Sequence, residues 1–352
     1  MIEFFFLYSS LLFSQFYILP SGLPQISHFL ILMGFLIFIY KGAPLYFNIS
    51  CKIFLIFLIY ISIINIFWTV FSISETYLIS LMYWVFNFAT FLYIINIKKI
   101  NLKYFDYIIL VSYLILLVGY ALNVGRFDFH PRYNGFFNDP NQMAFWVLCT
   151  LAISFINLNN LKLPILFLAI ILILLTMSRS AIIGLFFVVL GFFLQEGLSL
   201  KQLLNKLILI FLFIFGLFFI YIYYNEKFES IVSRFKETDV ADQADIRGYT
   251  ALIKFPEYLL FGAGQGQYDR FSETGHEIHS TWAGLLFYYG IIGMLIFLSF
   301  LFSILIRLPL QKKIIFLGPL FYGFSTYGLR TSIVWFYIAI YFLYAYKKID
   351  LK

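Results

Sequence analysis

The chain has 352 residues, of which 62% are hydrophobic and 12% are charged, and its formal net charge is +7. Charged residues make up about a quarter of an ordinary soluble domain, so this composition excludes one. Long runs nearly free of charge, separated by short polar segments, predict helices that cross about 30 Å of hydrocarbon.

We therefore predict an all-α integral membrane protein with about twelve transmembrane helices and one long periplasmic loop before the tenth span. The predicted spans are residues 4–20, 26–40, 53–73, 77–97, 105–124, 141–156, 164–177, 180–195, 203–223, 280–306, 313–328 and 331–346. Residues 1–224 form an N-terminal bundle of about nine spans, 225–279 the long loop with amphipathic and short helices, and 280–352 the C-terminal transmembrane helices.

The cations predict the orientation of this bundle. With the N-terminus inside, fourteen Lys and Arg residues lie in the inner loops and at the C-terminus, whereas the short outer loops hold four. Because short cytoplasmic loops are enriched in Lys and Arg, this count supports the orientation.

Arginine and histidine are distributed differently from lysine. In the predicted topology thirteen of the sixteen Lys lie inside, whereas seven of the eight Arg and all four His lie outside. A lysine-rich codon bias would explain the lysines but not the outer arginines. The planar guanidinium grips phosphate or carboxylate bidentately. We therefore expect an outer-face site for an anionic substrate, and we count Arg270 and Arg330 among its substrate-binding residues.

The segment before the sixth span combines aromatic and polar residues. Asp139 followed by Pro140 predicts a helix start, with Asp as the N-cap and Pro at the first position. Arg132, Asn138 and Asn141 would then cluster at a helix N-terminus, which favours anion binding. The alternative is a loop lying among lipid headgroups.

Arg179 interrupts an apolar run between two short predicted spans. A charge at such a place is costly unless it is paired or faces a polar cavity, so it is a candidate for substrate binding. The alternative is a tight, exposed helical hairpin.

The long outer loop contains three features. Phe228, Ile231, Val232 and Phe235 predict an amphipathic helix on the bilayer surface. Arg247 follows a predicted N-cap, Asp245, at the start of a short helix that ends at Pro256. The pattern of Gly262, Gly264 and Gly266 gives backbone that could approach a phosphate, although turns alone also produce it.

His279 ends the loop at the edge of the tenth span. At 100° per residue, Gly290 and Gly293 lie near its helical face, which predicts close packing of a second helix there. A histidine in this place is a candidate general base, and His276, three residues earlier, is counted among the substrate-binding residues. The two histidines with Glu273 and Glu277 match no standard metal site.

Four sequence features together resemble the O-antigen polymerase and O-antigen ligase superfamily. They are His279-Ser280 followed by Gly290 and Gly293; Arg247 followed after one helix by P-E-Y-L-L-F-G-A-G-Q-G-Q-Y; the stretch R-Y-N-G-F-F-N-D-P-N from Arg132; and S-R-S-A from Ser178. The first 120 residues match only as hydrophobic spans, and a fixed Arg-to-Gly spacing found in many such polymerases has no clear counterpart.

The resemblance implies a class C glycosyltransferase fold in the bacterial inner membrane, with its active site on the periplasmic side. His279 corresponds to the proposed base of the family, and Arg247, with Arg132 and Arg179, to the residues that bind the diphosphate. The substrates would be undecaprenyl-diphosphate-linked oligosaccharides in the lipid bilayer. A chain-length regulator and a flippase of the same pathway are implied partners; no metal, nucleotide cofactor or nucleic acid is implied.

Two functions within this superfamily and one outside it remain open. The residues of 225–279 include six cations and ten anions, a net charge of −4, which disfavours docking of a phosphorylated lipid A core by a ligase and favours a polymerase. A transporter would carry charges at mid-bilayer in broken helices, whereas the predicted spans are nearly uncharged.

Overall fold

The computed structural model describes residues 2–19, 23–42, 44–97, 100–156, 160–194, 204, 247–271 and 277–346. These residues form helices and short turns, without a β-strand. The helices are α1 (Ile2–Phe13), α2 (Ile26–Tyr40), α3 (Ile49–Ser72), α4 (Thr76–Asn96), α5 (Leu102–Ala121), α6 (Pro140–Ser154), α7 (Lys162–Thr176), α8 (Arg179–Phe193), α9 (Ala251–Lys254), α10 (Thr281–Leu305), α11 (Leu310–Tyr322) and α12 (Ser332–Ala345).

The lengths of the helices fit a membrane protein. Within the described ranges, α3, α4, α5 and α10 are long and apolar enough to cross a membrane, and α1, α2, α7, α8 and α12 are shorter apolar helices. The protein is thus a helical membrane protein, while the count of twelve spans stays a prediction. The predicted ninth span, apart from Leu204, and the amphipathic helix at 228–235 lie outside the described residues.

The predicted start of α6 is confirmed. Pro140 is its first residue, and the Asp139 side chain accepts a hydrogen bond from the Asn141 backbone N–H at 2.6 Å. This capping fixes where the chain leaves the α5–α6 connection and enters the bundle.

Two predicted spans have different ends in the structure. The first helix ends at Phe13 rather than near residue 20, because the Ser14 hydroxyl bonds back to the Leu11 carbonyl and also accepts from the Trp146 indole N–H, which competes with helical backbone bonding. The eleventh ends at Tyr322, before Gly323, rather than near residue 328. Both corrections lengthen loops at the same end of the bundle.

The C-terminal helices pack into the N-terminal ones. Helix α10 packs on α3, α12 on α4 and α6, and α11 on α6 and α8. The most extensive of these contacts joins α8 and α11, where a Cβ on Gly184 would lie 3.0 Å from the Gly318 carbonyl oxygen. Small residues of this kind allow the close approach of helix backbones that stabilises membrane bundles.

Helix α10 is broken at Gly290, whose φ of 64° and ψ of 179° are not helical. The segment 259–264 lies against the break. It donates from Ala263 N–H to Phe287 O and from Gly264 N–H to Tyr288 O, both at 2.9 Å, and its Leu259 O accepts from Ile291 N–H at 2.8 Å. These three bonds satisfy backbone groups that the break would leave unpaired.

The expectation of one small helical face on α10 is therefore wrong in part. Because the helix is broken, Gly290 meets the loop at Leu260 and not a second helix. Gly293 does meet a neighbouring helix, since its Cβ position lies 3.0 Å from the Tyr60 ring of α3.

The connections α1–α2, α5–α6, α7–α8 and α11–α12 meet at one end of the bundle, which we call the cavity end. Tyr17 N–H donates to Phe136 O, and Tyr133 N–H donates to Leu175 O, each at 3.0 Å. Thr281 N–H at the start of α10 donates to Gly323 O at 2.7 Å and Thr326 O at 2.9 Å. Loops distant in sequence are thereby held against one another.

Candidate functional site: a cationic cavity

A cavity of about 620 Å³ opens at the cavity end. It is lined by the α1–α2, α5–α6, α7–α8 and α11–α12 connections, by Tyr83 of α4, and by the segment that precedes α10. A volume of this size is typical of a small-molecule or glycan-sized site.

The cavity brings together several predicted site residues. Arg132, Asn141, Arg179, Arg247, His279 and Arg330 all line it. The carboxylates among its lining residues are Asp139 and Glu277, so four Arg and two acids leave a net charge of about +2 with His neutral, which attracts anions into a low-dielectric cleft.

Arg132 is held by the protein on two nitrogens. Its Nε donates to the Thr176 carbonyl at 2.9 Å, and its Nη2 donates to Asn141 Oδ1 at 2.8 Å. Asn141 lies in the first turn of α6. The arginine thus joins the end of α7 to the start of α6, next to the positive end of the α6 dipole.

Arg179 is the first residue of α8 and is half-buried in the cavity wall. Met177 adopts a left-handed φ of 51°, which turns the chain from α7 into α8 within two residues. The Ser178 hydroxyl lies 3.1 Å from that of Tyr322, which also donates to Asn141 O at 3.0 Å. The hairpin is tight, as the alternative interpretation predicted, but its arginine is half-buried rather than exposed and lines the polar cavity.

Arg247 and His279 are neighbours through the backbone. The His279 N–H donates to the Arg247 carbonyl at 3.0 Å. Arg247 Nη1 donates to the Ser325 carbonyl at 2.6 Å, while its Nε and Nη2 have no acceptor among the described residues. His279 is exposed and precedes Ser280, the N-cap of α10, whose side chain accepts from Ala283 N–H.

Arg330 forms an ion pair inside the cavity. Its Nη2 lies 2.8 Å from Glu277 Oε1 and donates to the Tyr268 hydroxyl. Burial by itself would lower the pKa of Arg330, but the Glu277 carboxylate and the Tyr268 oxygen raise it above its ordinary value. The guanidinium therefore stays charged and its charge is compensated locally.

Sequence reasoning missed part of the lining. Glu277 was considered only as a metal ligand, although its place two residues before His279 was a usable signal. Tyr17, Gln25, His28 and Tyr83 also line the cavity. They lie in or next to segments whose sequences predict only hydrophobic spans. Their spacing therefore did not indicate that they line the site.

The structure leaves other predicted substrate-binding residues away from the cavity. Gly264 and Gly266 are buried against α3 and the start of α4, and the Gly264 N–H is already bonded to Tyr288 O, so no phosphate-binding loop forms there. Arg270 lies 4.0 Å over the Trp68 ring and donates to Tyr77. Asn138 accepts from Arg126.

His276 lies outside the described residues, and so does Asp245, the predicted N-cap before Arg247. The short helix expected after Arg247 is the single turn α9, and Pro256 begins a second short turn beyond it.

Neither a protein-family model nor a curated protein matches the sequence. The chemistry of the cavity is therefore argued from its own residues. It offers several guanidinium groups for an anion, one exposed imidazole that can take up a proton, and hydroxyl and amide groups suited to a polar, uncharged portion of a ligand.

Proposed function

We propose that the protein is a membrane glycosyltransferase that polymerises surface-polysaccharide repeats carried on undecaprenyl diphosphate, acting on the periplasmic side of the bacterial inner membrane. The observation that carries the proposal is the convergence of Arg132, Arg179, Arg247 and His279 on one cavity. The resemblance to O-antigen polymerases and ligases supports it.

The lipid diphosphate would bind at Arg247. This guanidinium is held by one nitrogen, Nη1, and its Nε and Nη2 form an edge with no acceptor among the described residues. Two parallel N–H groups on such an edge match two oxygens of a phosphate. Arg179 and the N-terminus of α6 add positive potential nearby.

His279 would act as the general base. The acceptor sugar hydroxyl gives its proton to the imidazole as its oxygen forms a bond to the anomeric carbon of the donor. The bond from that carbon to the diphosphate oxygen breaks, and the electron pair leaves with the diphosphate. The arginines stabilise the charge that develops there. One glycosidic bond forms and one sugar–phosphate bond breaks, with no redox partner.

The position of the cavity at one end of the bundle is also relevant to the two alternative functions, a ligase and a transporter. A ligase would use the same chemistry with a lipid A core as the acceptor. A transporter would alternate access through the bundle, whereas the charged lining described here is concentrated in connections at one end of the helices.

The test is the surface-polysaccharide profile of a strain that lacks the gene. We expect core capped with single repeats, because the polymer cannot be extended. Bare core with accumulated lipid-linked polymer would show a ligase instead, and an unchanged profile would reject both enzymatic functions. Complementation with the wild-type gene is the control.

A further inference from the structure

Glu277 is a carboxylate of the cavity that the proposed chemistry does not use. Its Oε1 accepts from Gln265 Nε2 at 2.9 Å and from the Tyr268 hydroxyl at 3.2 Å, and it lies 2.8 Å from Arg330 Nη2. Three donors, two from the segment 265–268 and one from the α11–α12 connection, thus converge on one oxygen.

Gln265 anchors this carboxylate to the helix bundle. Its backbone N–H donates to Asn65 Oδ1 of α3 at 3.1 Å. Its Oε1 accepts from the Trp84 indole of α4 at 3.1 Å and from the Tyr289 hydroxyl of α10 at 2.8 Å. Because a network of buried, satisfied hydrogen bonds is rigid, Glu277 holds its partners in fixed places.

The pairing with Glu277 determines what Arg330 can bind. A guanidinium offers two bidentate edges, one formed by Nε and Nη2 and the other by Nη1 and Nη2. Both edges need Nη2, which in Arg330 bonds to Glu277 and Tyr268. Its Nε is buried and has no partner among the described residues. Arg330 therefore presents no bidentate edge to a phosphate.

The protonation of Tyr268 fits the same arrangement. Burial, and then the neighbouring Glu277 carboxylate, raise the pKa of Tyr268 well above its ordinary value. The phenol stays neutral, so that it donates to Glu277 while its oxygen accepts from Arg330. The ion pair is thereby closed into a three-membered hydrogen-bonded cluster.

We propose that Glu277 is a positioning residue that withholds Arg330 from the diphosphate and so limits how tightly the cavity binds the leaving group. The inference rests on the proposed function, since it concerns the same cavity. Arg247, whose Nε–Nη2 edge has no described acceptor, grips the diphosphate, whereas Arg330 shapes the wall beside it. A product held by one guanidinium fewer leaves more readily.

The test measures binding of inorganic pyrophosphate to the purified full-length protein in detergent micelles by calorimetry. Glu277→Gln keeps the size of the side chain but removes its charge, which frees Arg330. We expect it to bind pyrophosphate about threefold to tenfold more tightly than wild type, as one added charge-assisted pair would give. In the double variant Glu277→Gln/Arg330→Gln that gain should disappear.

Two single variants complete the comparison and do not depend on how well Glu277→Gln folds. Arg247→Gln should weaken pyrophosphate binding by about tenfold or more, the loss expected for a charged hydrogen-bonding partner. Arg330→Gln should weaken it by much less than Arg247→Gln, because the bidentate edges of Arg330 are already occupied and the loss comes only from the lowered positive charge of the cavity. A loss with Arg330→Gln equal to that with Arg247→Gln overturns the inference, and so does unchanged or weaker binding by Glu277→Gln.

Failure of the proposed function gives a different result. If wild type binds pyrophosphate and the variants behave as expected but purified protein extends no lipid-linked repeat, the polymerase proposal is wrong and the role of Glu277 stands. If neither wild type nor Glu277→Gln binds pyrophosphate, the inference itself is overturned.

Discussion

At the scale of residues, the backbone bond from His279 to Arg247 joins the two groups that the proposed reaction needs most. The bond ties the segment that enters α10 to the segment that follows the undescribed part of the long loop. Because the backbones of the two residues are fixed to one another, less entropy is lost when their side chains come together on a substrate.

Replacing His279 is the sharpest test at this scale. A positioned general base contributes about 10²- to 10⁴-fold to rate, so His279→Ala should abolish long polymer while the amount of protein in the membrane is unchanged. His279→Gln keeps a hydrogen-bonding group but takes up no proton, and it should be equally defective. The measurement is extension of lipid-linked repeats by purified protein.

His130 provides the matched control for that experiment. It is exposed and does not line the cavity, so His130→Ala should keep activity close to wild type. Near wild-type extension by His279→Ala would place the base elsewhere and leave the resemblance to rest on the arrangement of spans.

The site residues that could be predicted from the sequence belong to residue types that are unevenly distributed along the chain. Arg132, Arg179 and Arg247 stood out because arginine is otherwise scarce, and all three line the cavity. Arg270 is one of the same scarce arginines, but it stacks on the Trp68 ring. Aromatic rings attract a cation through their π-electrons, so an arginine can be stabilised by them as well as by an anion. Composition does not separate these two environments.

At the scale of elements, the break in α10 organises the segment that leads to the cavity. The three backbone bonds between 259–264 and the residues around Gly290 fix this segment inside the bundle. Gln265 follows directly and reaches Glu277. The glycines that looked like a phosphate loop in the sequence serve this packing, because only a residue without a side chain fits where two backbones approach so closely.

Gly290→Ala tests the role of the break. Gly290 lies in a region of φ and ψ that is essentially restricted to glycine, and a Cβ there would lie 2.2 Å from Leu260 O. Holding an alanine in this backbone conformation costs about 1–3 kcal/mol, in addition to the cost of the clash. We expect a strongly lowered thermal midpoint, or loss of folded protein, in detergent.

Gly42→Ala separates the backbone conformation from the clash. Gly42 also has a positive φ, of 60°, but no atom lies within 4 Å of its Cβ position. Gly42→Ala should lower the free energy of unfolding by only about 1–2 kcal/mol. Equal midpoints for the two variants would show that a Cβ at Gly290 causes no costly clash with Leu260.

At the scale of the whole molecule, the hydrophobic runs predicted the positions of eleven of the twelve described helices, the exception being the short α9. Their ends were predicted less well. Phe13 and Tyr322 end helices inside apolar runs because side chains and loops at the cavity end take over backbone hydrogen bonds, and such tertiary contacts leave no periodic signal.

The orientation of the bundle can be tested with single cysteines. Asp128 is exposed at the cavity end and Lys103 is exposed at the opposite end. Asp128→Cys should react with a membrane-impermeant thiol reagent in intact spheroplasts, and Lys103→Cys only after permeabilisation, as the cation count predicts. The native Cys51 and Cys149 are buried and should stay unlabelled; the reverse pattern would put the cavity on the cytoplasmic side.

The cavity is assembled from residues that run from Tyr17 to Thr331, which has a consequence for biosynthesis. Ribosomes deliver membrane helices in order, so the connection between α11 and α12, with Ser325 and Arg330, arrives after the rest of the cavity lining. Until it inserts, Arg247 lacks the carbonyl that holds its guanidinium and Glu277 lacks its counter-ion. Under the proposed function, the site for lipid-linked sugars is therefore complete only once this connection has been inserted.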